Sequence, residues 1–434
     1  MKAVLVIGGG VAGMQASLDL AERGVHVYLV EKEPSIGGRM ALLDKTMSTN
    51  DCSICILAPK MNEVFSHPNI EVLEYSEVVG LEGEAGAFRV KVKRKAKFVD
   101  SSKCTGCGDC MEKCPTEVPN EFNSFLDKRK AVYLPFPQAV PRKATIDSEY
   151  CLKLLKNRCG LCEKICKAEA IDYSQEDTVI EVDVAAVVVA IGLSLYEPSD
   201  MHEYGLGRFE NVHTWMEYER IINAAGPTHG HLKCAPDGRR PKKIAFIQCV
   251  GSRDVKRCSW CSSVCCMVSI KSAMLANEHY NDLESYIFYS DLRMFSKRWY
   301  EYSKRGEKDY KISYIHARPG EIREDKRTKN LTIFYEDEDE ATVKGLEVEM
   351  VMLATPITAA RDTFHVAELL GLEVDEHGFI KTADFMGSPV ETTRSGIFVA
   401  GCCERPKDIT ESVIQASGAA AKAAVLAEGG GMDE

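Results

Sequence analysis

Cysteine spacing carries the strongest chemical signal in this sequence of 434 residues, 18 of which are cysteines. The first group follows the pattern C-x2-C-x2-C-x3-C-P and consists of Cys104, Cys107, Cys110 and Cys114. Thiolates at this spacing hold three corners of one [4Fe–4S] cluster and one corner of a neighbouring cluster. A zinc ribbon fits poorly, because it pairs two C-x-x-C units and has no use for cysteines at successive three-residue steps.

A second group has the spacing C-x7-C-x2-C-x3-C and consists of Cys151, Cys159, Cys162 and Cys166. If each group lends its last cysteine to the other cluster, one predicted ligand set is Cys104, Cys107, Cys110 and Cys166. The other predicted set is Cys151, Cys159, Cys162 and Cys114. The wide first spacing departs from the plain ferredoxin pattern, so Cys151 has the weakest support from spacing.

A third group of five cysteines is too dense to be explained by packing alone. It comprises Cys249, Cys258, Cys261, Cys265 and Cys266. Since a cluster needs four protein ligands, one of the five is an extra or alternative ligand. A separate C-x-x-C pair contains Cys55, which we count among the candidate metal ligands. Spacing leaves open whether that pair is a redox pair, half of a metal site or buried packing.

Glycines near the start of the chain indicate a nucleotide-binding turn. Gly8, Gly10 and Gly13 form G-x-G-x-x-G between a strand-like run and a helix-like run. Without Cβ atoms, backbone amides and the helix N-terminus can approach a pyrophosphate. Glu31 ends the next strand-like run, where a carboxylate suits a ribose diol and repels a 2′-phosphate. The glycines alone would also fit an ordinary tight turn, but the strand–helix–strand context favours nucleotide binding.

Two segments resemble the flavoproteins with two dinucleotide folds, a family that includes thioredoxin reductase and glutamate synthase. They are Gly37-Gly38-Arg39 and Thr392–Gly401. The resemblance implies FAD rather than NAD. The candidate FAD-binding residues beyond the first turn are Gly38, Arg39, Gly192, Gly401 and Cys402.

In that family the second dinucleotide fold carries its own G-x-G-x-x-G for NAD(P)H. Here the corresponding strand-like run leads into Cys249-Val250-Gly251-Ser252 instead. We therefore expect that the protein does not take hydride directly from NAD(P)H.

The segment that begins at Cys249 resembles the A-type subunits of heterodisulfide reductases. That family is marked by C-V-G-S-R-D and then C-S-x-V-C-C-M-x-x-I-K, and the sequence contains both, together with the family's N-D-C-S-x-C-I-L-x-P-K at 50–60. The resemblance implies a third cluster near the flavin, held by Cys249, Cys261, Cys265 and Cys266. It also implies that Lys271 points at the flavin ring, where a cation would stabilise reduced anionic flavin. We take Lys271 as a candidate catalytic and cofactor-binding residue.

The expected fold is α/β, a thioredoxin-reductase-like flavoprotein with an inserted ferredoxin-like domain for two [4Fe–4S] clusters. We expect an FAD-binding domain in three parts, 1–97, 181–240 with a linker, and 351–434. The ferredoxin-like insert is expected at 98–180 and a second α/β domain, which carries the third cysteine group, at 241–350. Strand-like runs at 3–7, 26–31, 183–192, 243–249, 286–290 and 396–401 and helix-like runs at 11–23, 263–279 and 409–428 support this layout. Compared with many members of the family, we expect a short form that lacks an extra N-terminal segment and a C-terminal ferredoxin domain.

Composition narrows the possible partners and compartment. The net charge of −11 argues against nucleic-acid binding, which needs a basic face. No apolar stretch approaches eighteen residues, so we expect a soluble chain without a membrane span of its own. Because the cysteines are grouped for metal rather than disulfides, the reducing cytoplasm of an anaerobe is the expected compartment. Any membrane association would come through partners.

The resemblance implies electron transfer as the function. The chain would be an FAD and iron–sulfur subunit that bifurcates or confurcates electrons between a dehydrogenase or hydrogenase partner, ferredoxin and a disulfide-type acceptor. Expected partners are B- and C-type subunits, a hydrogenase- or formate-dehydrogenase-type donor and ferredoxin, with homodimerisation left open. Two alternatives are a non-bifurcating relay in a membrane-associated quinone-reducing complex and a component of an aromatic acyl-CoA reductase complex. A free-standing NAD(P)H oxidoreductase and a purely structural adaptor fit less well.

Overall fold

A computed structural model describes residues 1–337 and 340–429. These residues divide into two compact units. The first unit comprises Met1–Ala41, Ile54–Leu193 and the described residues from Ala359 onward. The second unit comprises Leu42–Ser53 and Ser194–Thr358.

The helices are numbered in chain order. They are α1 Val11–Glu22, α2 Ser53–Ser66, α3 Asp109–Glu112, α4 Leu152–Lys156, α5 Leu161–Ile165, α6 Trp215–Ile222, α7 Cys265–His279, α8 Trp299–Tyr310, α9 Thr363–Leu370 and α10 Ile409–Ala427. Within the described residues, none of these helices combines the length and the apolarity that crossing a bilayer requires.

The strands are numbered in the same way. In the first half of the chain they are β1 Val4–Ile7, β2 Val27–Glu31, β3 Ile70–Glu74, β4 Ser76–Glu84, β5 Ala87–Arg94, β6 Glu117–Pro119, β7 Lys128–Lys130, β8 Val132–Tyr133, β9 Thr145–Ile146, β10 Thr178–Val184, β11 Ala186–Val189 and β12 Leu193–Leu195. They continue as β13 Val212–Thr214, β14 Lys243–Ile247, β15 Glu284–Tyr289, β16 Ser313–His316, β17 Glu321–Glu324, β18 Leu331–Asp337, β19 Thr342–Val348, β20 Met350–Leu353, β21 Ile357–Ala359, β22 Thr382–Asp384, β23 Ser388–Thr392 and β24 Ile397–Val399.

The first unit is built on a seven-stranded sheet with the order β22-β23-β24-β11-β1-β2-β3. The strands from β24 to β3 pair in parallel, while β22 and β23 extend the sheet antiparallel. Every residue of β1 and β11 is buried. Continuous apolar runs of this kind are expected where a parallel sheet is covered on both faces. Helices α1 and α10 pack against each other through small alanine side chains in the same core.

The ferredoxin-like segment leaves and re-enters the first unit between two paired strands. β5 and β10 are antiparallel neighbours, with Phe88 opposite Val184 and Arg94 opposite Thr178. Residues 95–177 therefore form an excursion from one ladder, and a bridge between Val99 and Ile171 closes its base. The excursion contains α3, α4, α5 and two short hairpins around a small core of its own. It belongs to the first compact unit and does not separate as a third.

The second unit is built on a five-stranded sheet with the order β13-β20-β14-β15-β16. All adjacent pairs in this sheet are parallel. A three-stranded antiparallel sheet, β17-β18-β19, directly precedes β20 in the chain. Because parallel strands end at one edge, the residues that follow β14, β15 and β20 meet at the carboxyl edge of this sheet.

The apolar run expected as one strand at 183–192 is two strands of different sheets. Thr178–Val184 pairs with β5, whereas Ala186–Val189 pairs with β1 and β24. The chain changes partners at Ala185, and an uninterrupted apolar run does not reveal such a change.

The expected domain boundaries also differ from those of the structure. The segment expected as part of the FAD-binding domain, 181–240, belongs to the second unit from residue 194 onward, because β13 pairs with β20. Residues 351–358, expected in the last part of that domain, also lie in the second unit, as do residues 42–53. A three-residue strand and a crossing loop are too short for periodicity to show their partners.

The close packing of α1 and α10 yields a stability prediction. Ala420 is buried at 1% exposure in the core that both helices share, whereas its neighbour Ala421 is exposed. We expect Ala420→Leu to overpack this core and to lower the free energy of unfolding by about 1–3 kcal/mol. Ala421→Leu is the matched control and should change it by less than about 0.5 kcal/mol. Thermal and chemical unfolding of both variants test this, and equal stability would contradict the packing.

Candidate functional site

The nucleotide-binding turn lies at the carboxyl end of β1, between its two parallel neighbours. Gly8 follows the strand, and Gly10 precedes the first residue of α1. No side chain caps this helix terminus, and its first turn contains no acidic residue. Its amides are therefore available to an anionic ligand, which a helix N-terminus favours.

Two of the motif glycines are required by close backbone contacts. A Cβ on Gly13 would lie 1.8 Å from the carbonyl oxygen of Gly8, where α1 crosses β1. Gly8 has φ of +105°, and a Cβ there would lie 2.3 Å from the carbonyl oxygen of Ala190. No side chain fits at either distance, so these glycines set how closely the helix and the neighbouring strand approach the turn.

Glu31 lies buried at the end of β2 beside this turn. Its carboxylate accepts hydrogen bonds from the amide of Gly9 at 2.7 Å and from the amide of Glu33 at 2.8 Å. Burial raises the pKa of Glu31 to about 7, although both amide bonds oppose the shift. A carboxylate in this position can accept from a ribose diol.

The other predicted dinucleotide residues come together around the same turn. A Cβ on Gly38 would lie 2.7 Å from Cα of Gly10, so the two backbones touch. Arg39 donates from Nε to the carbonyl oxygen of Leu193 at 2.9 Å, next to Gly192. Gly192 has φ of +77°, and the space that a Cβ would enter there is open. Residues from three separate parts of the chain thus line one cradle.

Two arginines in the first unit indicate that the cradle suits an anion. The pKa of Arg39 is lowered by burial and then by the charge of Arg361. Both arginines are exposed residues, and the repulsion between like charges held close together is relieved when an anion lies between or beside them. The thiol of Cys402 is a further neighbour of Arg39. A dinucleotide diphosphate has the charge and the bidentate acceptors that such guanidinium groups prefer.

Gly401 and Cys402 lie at the carboxyl end of β24 and are buried. The Cys402 thiol donates to the carbonyl oxygen of Lys407 at 3.4 Å. Lys407 itself is buried, forms an ion pair with Glu404 and donates to the carbonyl oxygen of Gly401 at 3.2 Å. This ion pair was not predicted, because a Lys and Glu three residues apart normally indicate a solvated surface.

Four cysteines of the ferredoxin-like segment line one cavity. They are Cys114, Cys151, Cys159 and Cys162, the set predicted by lending the last cysteine of the first group to the second. Apolar side chains of Ala131, Val132 and Ile146 are part of the lining, which also includes Thr116 and Lys153. Four converging thiols in an apolar pocket fit a [4Fe–4S] cluster.

Cys162 is the most closely surrounded of these four thiols. Burial raises the pKa of its thiol, and Cys151 and Cys114 raise it further. Its sulfur lies 2.9 Å from the hydroxyl of Tyr173. This tyrosine has no sequence signal that would have identified it as a neighbour of the site.

The remaining cysteines of the segment gather around Cys110. Burial raises the pKa of the Cys110 thiol to about 12, and the neighbouring thiols of Cys162, Cys104 and Cys107 raise it further, in that order. Cys166 follows α5, which packs against α3, the helix that carries Cys110. Because a cluster needs deprotonated thiols, its binding at these buried positions would release protons.

The third cysteine group converges at the carboxyl edge of the second sheet. The thiols of Cys249, Cys261 and Cys266 are all neighbours of the buried Cys265 thiol, whose pKa is raised well above its usual value by burial and by them. Burial likewise raises the pKa of Cys266 to about 11. These are the four cysteines that the family resemblance implied.

Two further observations in the second unit fit a bound group at this edge. The side-chain amide of Gln248 and the hydroxyl of Thr355 are buried and have no hydrogen-bond partner among the described residues. Gln248 directly follows β14 and precedes Cys249. Thr355 lies two residues after β20, the strand paired with β14, and its backbone carbonyl accepts a hydrogen bond from the Cys265 thiol. Buried polar groups are costly without partners, so they point to a ligand that hydrogen-bonds here.

Cys258 does not belong to the four-thiol group. Its pKa is raised by burial and by Asp254, with no thiol among the causes. Its backbone joins the loop through bonds from Cys258 N to Gly251 O at 3.2 Å and from Asp254 N to Cys258 O at 3.0 Å. We therefore assign Cys258 to the support of the loop and not to the ligand set.

Cys55, the remaining candidate ligand, lies in the first turn of α2. It is disulfide-bonded, as is Cys52 three residues before it, whereas the other 16 cysteines are free. In this state the C-x-x-C pair offers no thiolate to a metal. Of the alternatives open from spacing, a redox pair agrees with the disulfide.

Lys271 lies on α7 and is almost fully buried, with 2% of its side chain exposed. Its ammonium forms an ion pair with the buried carboxylate of Glu219 on α6 and donates to the carbonyl oxygen of Lys45 at 3.2 Å. The lysine is therefore not the solvated surface residue that sequence statistics favour. Its negative partner, Glu219, carries no signal in the sequence.

In the described part of the chain, no three Cys, His, Asp or Glu side chains converge closely enough to hold a single metal ion. The thiols of Cys114, Cys151, Cys159 and Cys162 line a cavity instead, and a cluster keeps its ligands farther apart than one ion does.

Two segments of the chain match known protein families. A family model described as FAD dependent oxidoreductase matches residues 3–54, and one described as 4Fe-4S binding domain matches residues 97–120. Thioredoxin reductase from Lactococcus lactis shares the fold with a TM-score of 0.53 at 14% identity, over 99% of this chain and 100% of that one. The chain thus has a thioredoxin-reductase-like fold, with one segment that matches FAD-dependent oxidoreductases and one that matches 4Fe–4S binding domains, and the expected fold class is confirmed.

Curated relatives identify the family of the chain more specifically. The second A-type iron–sulfur subunit of CoB–CoM heterodisulfide reductase from Methanopyrus kandleri is 51% identical over 427 residues, 98% of this chain and 64% of that protein. The A-type subunit of H(2):CoB-CoM heterodisulfide,ferredoxin reductase from Methanothermobacter thermautotrophicus is 46% identical, over 97% of this chain and 63% of that protein. The A-type subunit of the H(2)/formate enzyme from Methanococcus maripaludis is 44% identical, over 98% and 64%. The chain belongs to the family of heterodisulfide reductase A-type subunits and spans a little under two thirds of the length of these relatives.

Glu31 yields a prediction on cofactor affinity. Because the pKa of Glu31 is about 7, its carboxyl is increasingly protonated below that pH and loses acceptor capacity towards the ribose. We expect the affinity of the flavin-free protein for FAD to weaken as the pH falls through about 7. Glu31→Gln should weaken binding about tenfold at higher pH, by ~1.4 kcal/mol, and remove this pH dependence. Fluorescence titration checks both, with the exposed Glu63→Gln as the matched control.

The cysteine assignments yield a prediction on iron content. Cys151→Ser should lower the bound iron by about four atoms per chain, because one [4Fe–4S] cluster loses a ligand. Cys258→Ser should retain the full iron content, since its thiol lies apart from the other groups. Cys234→Ser is the control for a buried cysteine outside every group. Iron and sulfide analysis after anaerobic purification measures this, and iron loss in Cys258→Ser would return that residue to the ligand set.

Proposed function

We propose that the chain is the flavin- and cluster-carrying subunit of a heterodisulfide-reductase-like complex, in which it bifurcates or confurcates electrons. The observation that carries the proposal is the combination of a dinucleotide cradle with three convergent cysteine groups in one chain. We propose three [4Fe–4S] clusters, two in the ferredoxin-like segment and one at the edge of the second sheet.

The combination matters because flavins exchange two electrons and clusters exchange one. A protein that holds both can divide an electron pair between two routes. Its own residues contribute binding, burial and charge. The diphosphate and ribose of FAD are held by Gly8, Gly10 and Glu31. The thiol groups bind the clusters, which are the one-electron carriers.

The second sheet supports a route that does not begin with a nicotinamide. The turn after β14 reads C-V-G-S and carries Cys249, where two-fold flavoproteins have their glycine motif for NAD(P)H. Thiols and the buried Gln248 occupy the carboxyl edge that a nicotinamide dinucleotide would need. We propose that electrons come from a hydrogenase- or formate-dehydrogenase-type partner, as the relatives' names suggest for those proteins.

Both predicted cluster sites in the ferredoxin-like segment have a solvent-exposed corner. Cys107 in the first site and Cys159 in the second are exposed, whereas Cys110, Cys151 and Cys162 are buried. An exposed corner lets a carrier reach a cluster without opening the fold. Ferredoxin and B- and C-type subunits are the partners that we propose.

For Lys271 we keep the role in flavin binding as a proposal that rests on the family resemblance. A cation beside a reduced anionic flavin would raise its potential. In that role, Lys271 would either give up its ion pair with Glu219 or contact the flavin and Glu219 at the same time. Lys271 is therefore proposed as a cofactor-binding residue with an internal counter-ion.

The proposed function predicts coupled reduction of two acceptors. The complex is purified anaerobically with its partners. Hydrogen or formate should then reduce ferredoxin at least tenfold faster when the CoM–CoB heterodisulfide is present, because reduction of the heterodisulfide supplies the free energy for reduction of ferredoxin. NAD(P)H alone should not bleach the flavin. Absorbance of flavin and ferredoxin, followed with and without the disulfide, measures both.

Other outcomes separate the alternatives. A complex that co-purifies with membrane subunits and reduces its other acceptor at the same rate with or without ferredoxin would be a non-bifurcating relay. Rapid bleaching of the flavin by NAD(P)H, or a purified chain without flavin, would overturn the proposal.

A further inference from the structure

Two side chains of opposite charge lie at the rim of the third cysteine group. Cys249 follows β14 and Asp291 follows β15, so both stand at the carboxyl edge of neighbouring parallel strands. Arg253, four residues after Cys249, forms an ion pair with one oxygen of Asp291. Arg293 lies 3.1 Å from the other oxygen.

The charges act on the same thiols. Burial raises the pKa of the Cys249 thiol; the neighbouring guanidinium of Arg253 opposes this shift, and the nearby Asp291 carboxylate adds to it. The Cys266 thiol donates to the backbone carbonyl of Asp291 at 3.8 Å, which ties a second cysteine to the same residue. Arg253 and Asp291 therefore border a single group of thiols, and Arg293 is a second cation beside the Asp291 carboxylate.

The loop conformation holds Arg253 in this place. Cys249 and Arg253 have φ of 59° and 55°, a left-handed conformation that side chains rarely adopt. Between them Gly251 packs on the ring of Tyr196, where a Cβ would lie 2.4 Å from Cε1. The amide of Arg253 donates to the carbonyl oxygen of Trp260 at 3.1 Å. Strained residues that surrounding contacts maintain are typical of functional loops.

We propose that Arg253 and Asp291 are positioning residues that set the reduction potential of a cluster held by Cys249, Cys261, Cys265 and Cys266. Arg253 raises the potential and Asp291 lowers it. This inference rests on the ligand set in the proposed function and adds the charges that tune it.

The direction follows from the charge of the reduced site. Reduction adds one electron, and thus one negative charge, without forming or breaking a bond between the thiolates and the iron. A guanidinium beside a ligand sulfur stabilises that added charge, and a carboxylate nearby opposes it. Hydrogen bonds to sulfur and local charge are among the factors that set cluster potentials.

A purely structural role for the pair predicts a different result. The side chains of Arg253 and Asp291 are 36% and 45% exposed, and ion pairs at such exposure contribute little to stability. Their loss should therefore leave the fold and the iron content intact. Any shift in potential would then report charge rather than unfolding.

The test is a redox titration of the full chain, purified anaerobically and reduced stepwise with dithionite, with the third cluster followed by electron paramagnetic resonance. At the wild-type midpoint, Arg253→Gln should lower the ratio of reduced to oxidised cluster about tenfold, a shift of about 59 mV for a one-electron couple. Asp291→Asn should raise that ratio by a similar factor. Arg253→Lys, which keeps the charge but not the planar donor, should fall between wild type and Arg253→Gln.

Arg240→Gln is the matched control. Arg240 forms an ion pair with Asp282 at 2.5 Å and is 43% exposed, but it precedes β14 and so lies at the opposite end of that strand from Cys249. We expect no shift in this variant. If Arg253→Gln loses iron, the test rests on Asp291→Asn compared with wild type. An unchanged or lowered ratio of reduced to oxidised cluster in Asp291→Asn contradicts the proposal.

The failures are distinguishable. A wild-type chain with iron for only two clusters overturns the ligand set and the charge pair together. A third cluster at full occupancy whose potential is unmoved, or moves in the same direction in both variants, overturns the charge pair alone.

Discussion

The parallel pairing of β1 with β11 is the contact on which the first unit depends. Val4–Ile7 lies beside Ala186–Val189, although more than 170 residues separate the two strands in the chain. Both are completely buried, so the pairing combines a full set of ladder hydrogen bonds with apolar burial on both faces. It brings Gly8 next to Ala190 and leads the chain from there to Gly192 and Leu193. Without it, the glycine turn would lose its contact with Ala190 and its proximity to Gly192 and Leu193.

The chemistry of both units is placed by the same geometric rule. In a parallel sheet all strands end at one edge, and the loops that follow them converge. In the first unit this edge gathers the glycine turn, Glu31 and Gly401. In the second unit it gathers Cys249, Asp291 and Thr355. The rule explains how residues far apart in the chain form a cradle in one case and a group of thiols in the other.

Burial of the thiols links metal binding to protonation and to folding. Desolvation raises the pKa values of Cys110, Cys162, Cys265 and Cys266, so the thiols favour the protonated state where no metal compensates them. A cluster requires thiolates and would reverse this preference, with release of protons. The apolar lining around Cys114 and Cys151 also limits the access of water to that site. At the third cysteine group, Arg253 and Asp291 are charges beside the thiols, and both are partly exposed to solvent, which screens them in part.

The sequence by itself determined the chemical groups, because spacing within one turn or one short helix places side chains without help from the rest of the fold. The glycine turn with Glu31, the ferredoxin spacing from Cys104 to Cys114 and the dense group from Cys249 to Cys266 are all local patterns of this kind. The strands that carry them were also readable, since buried parallel strands are continuous apolar runs. Only the tertiary structure decided that Cys258 stands apart from the other thiols of its group and that Lys271 is paired with Glu219. It also decided that the run at 183–192 divides between two sheets and that β13 belongs to the second unit. These facts depend on contacts between residues distant in the chain, which short-range periodicity does not encode.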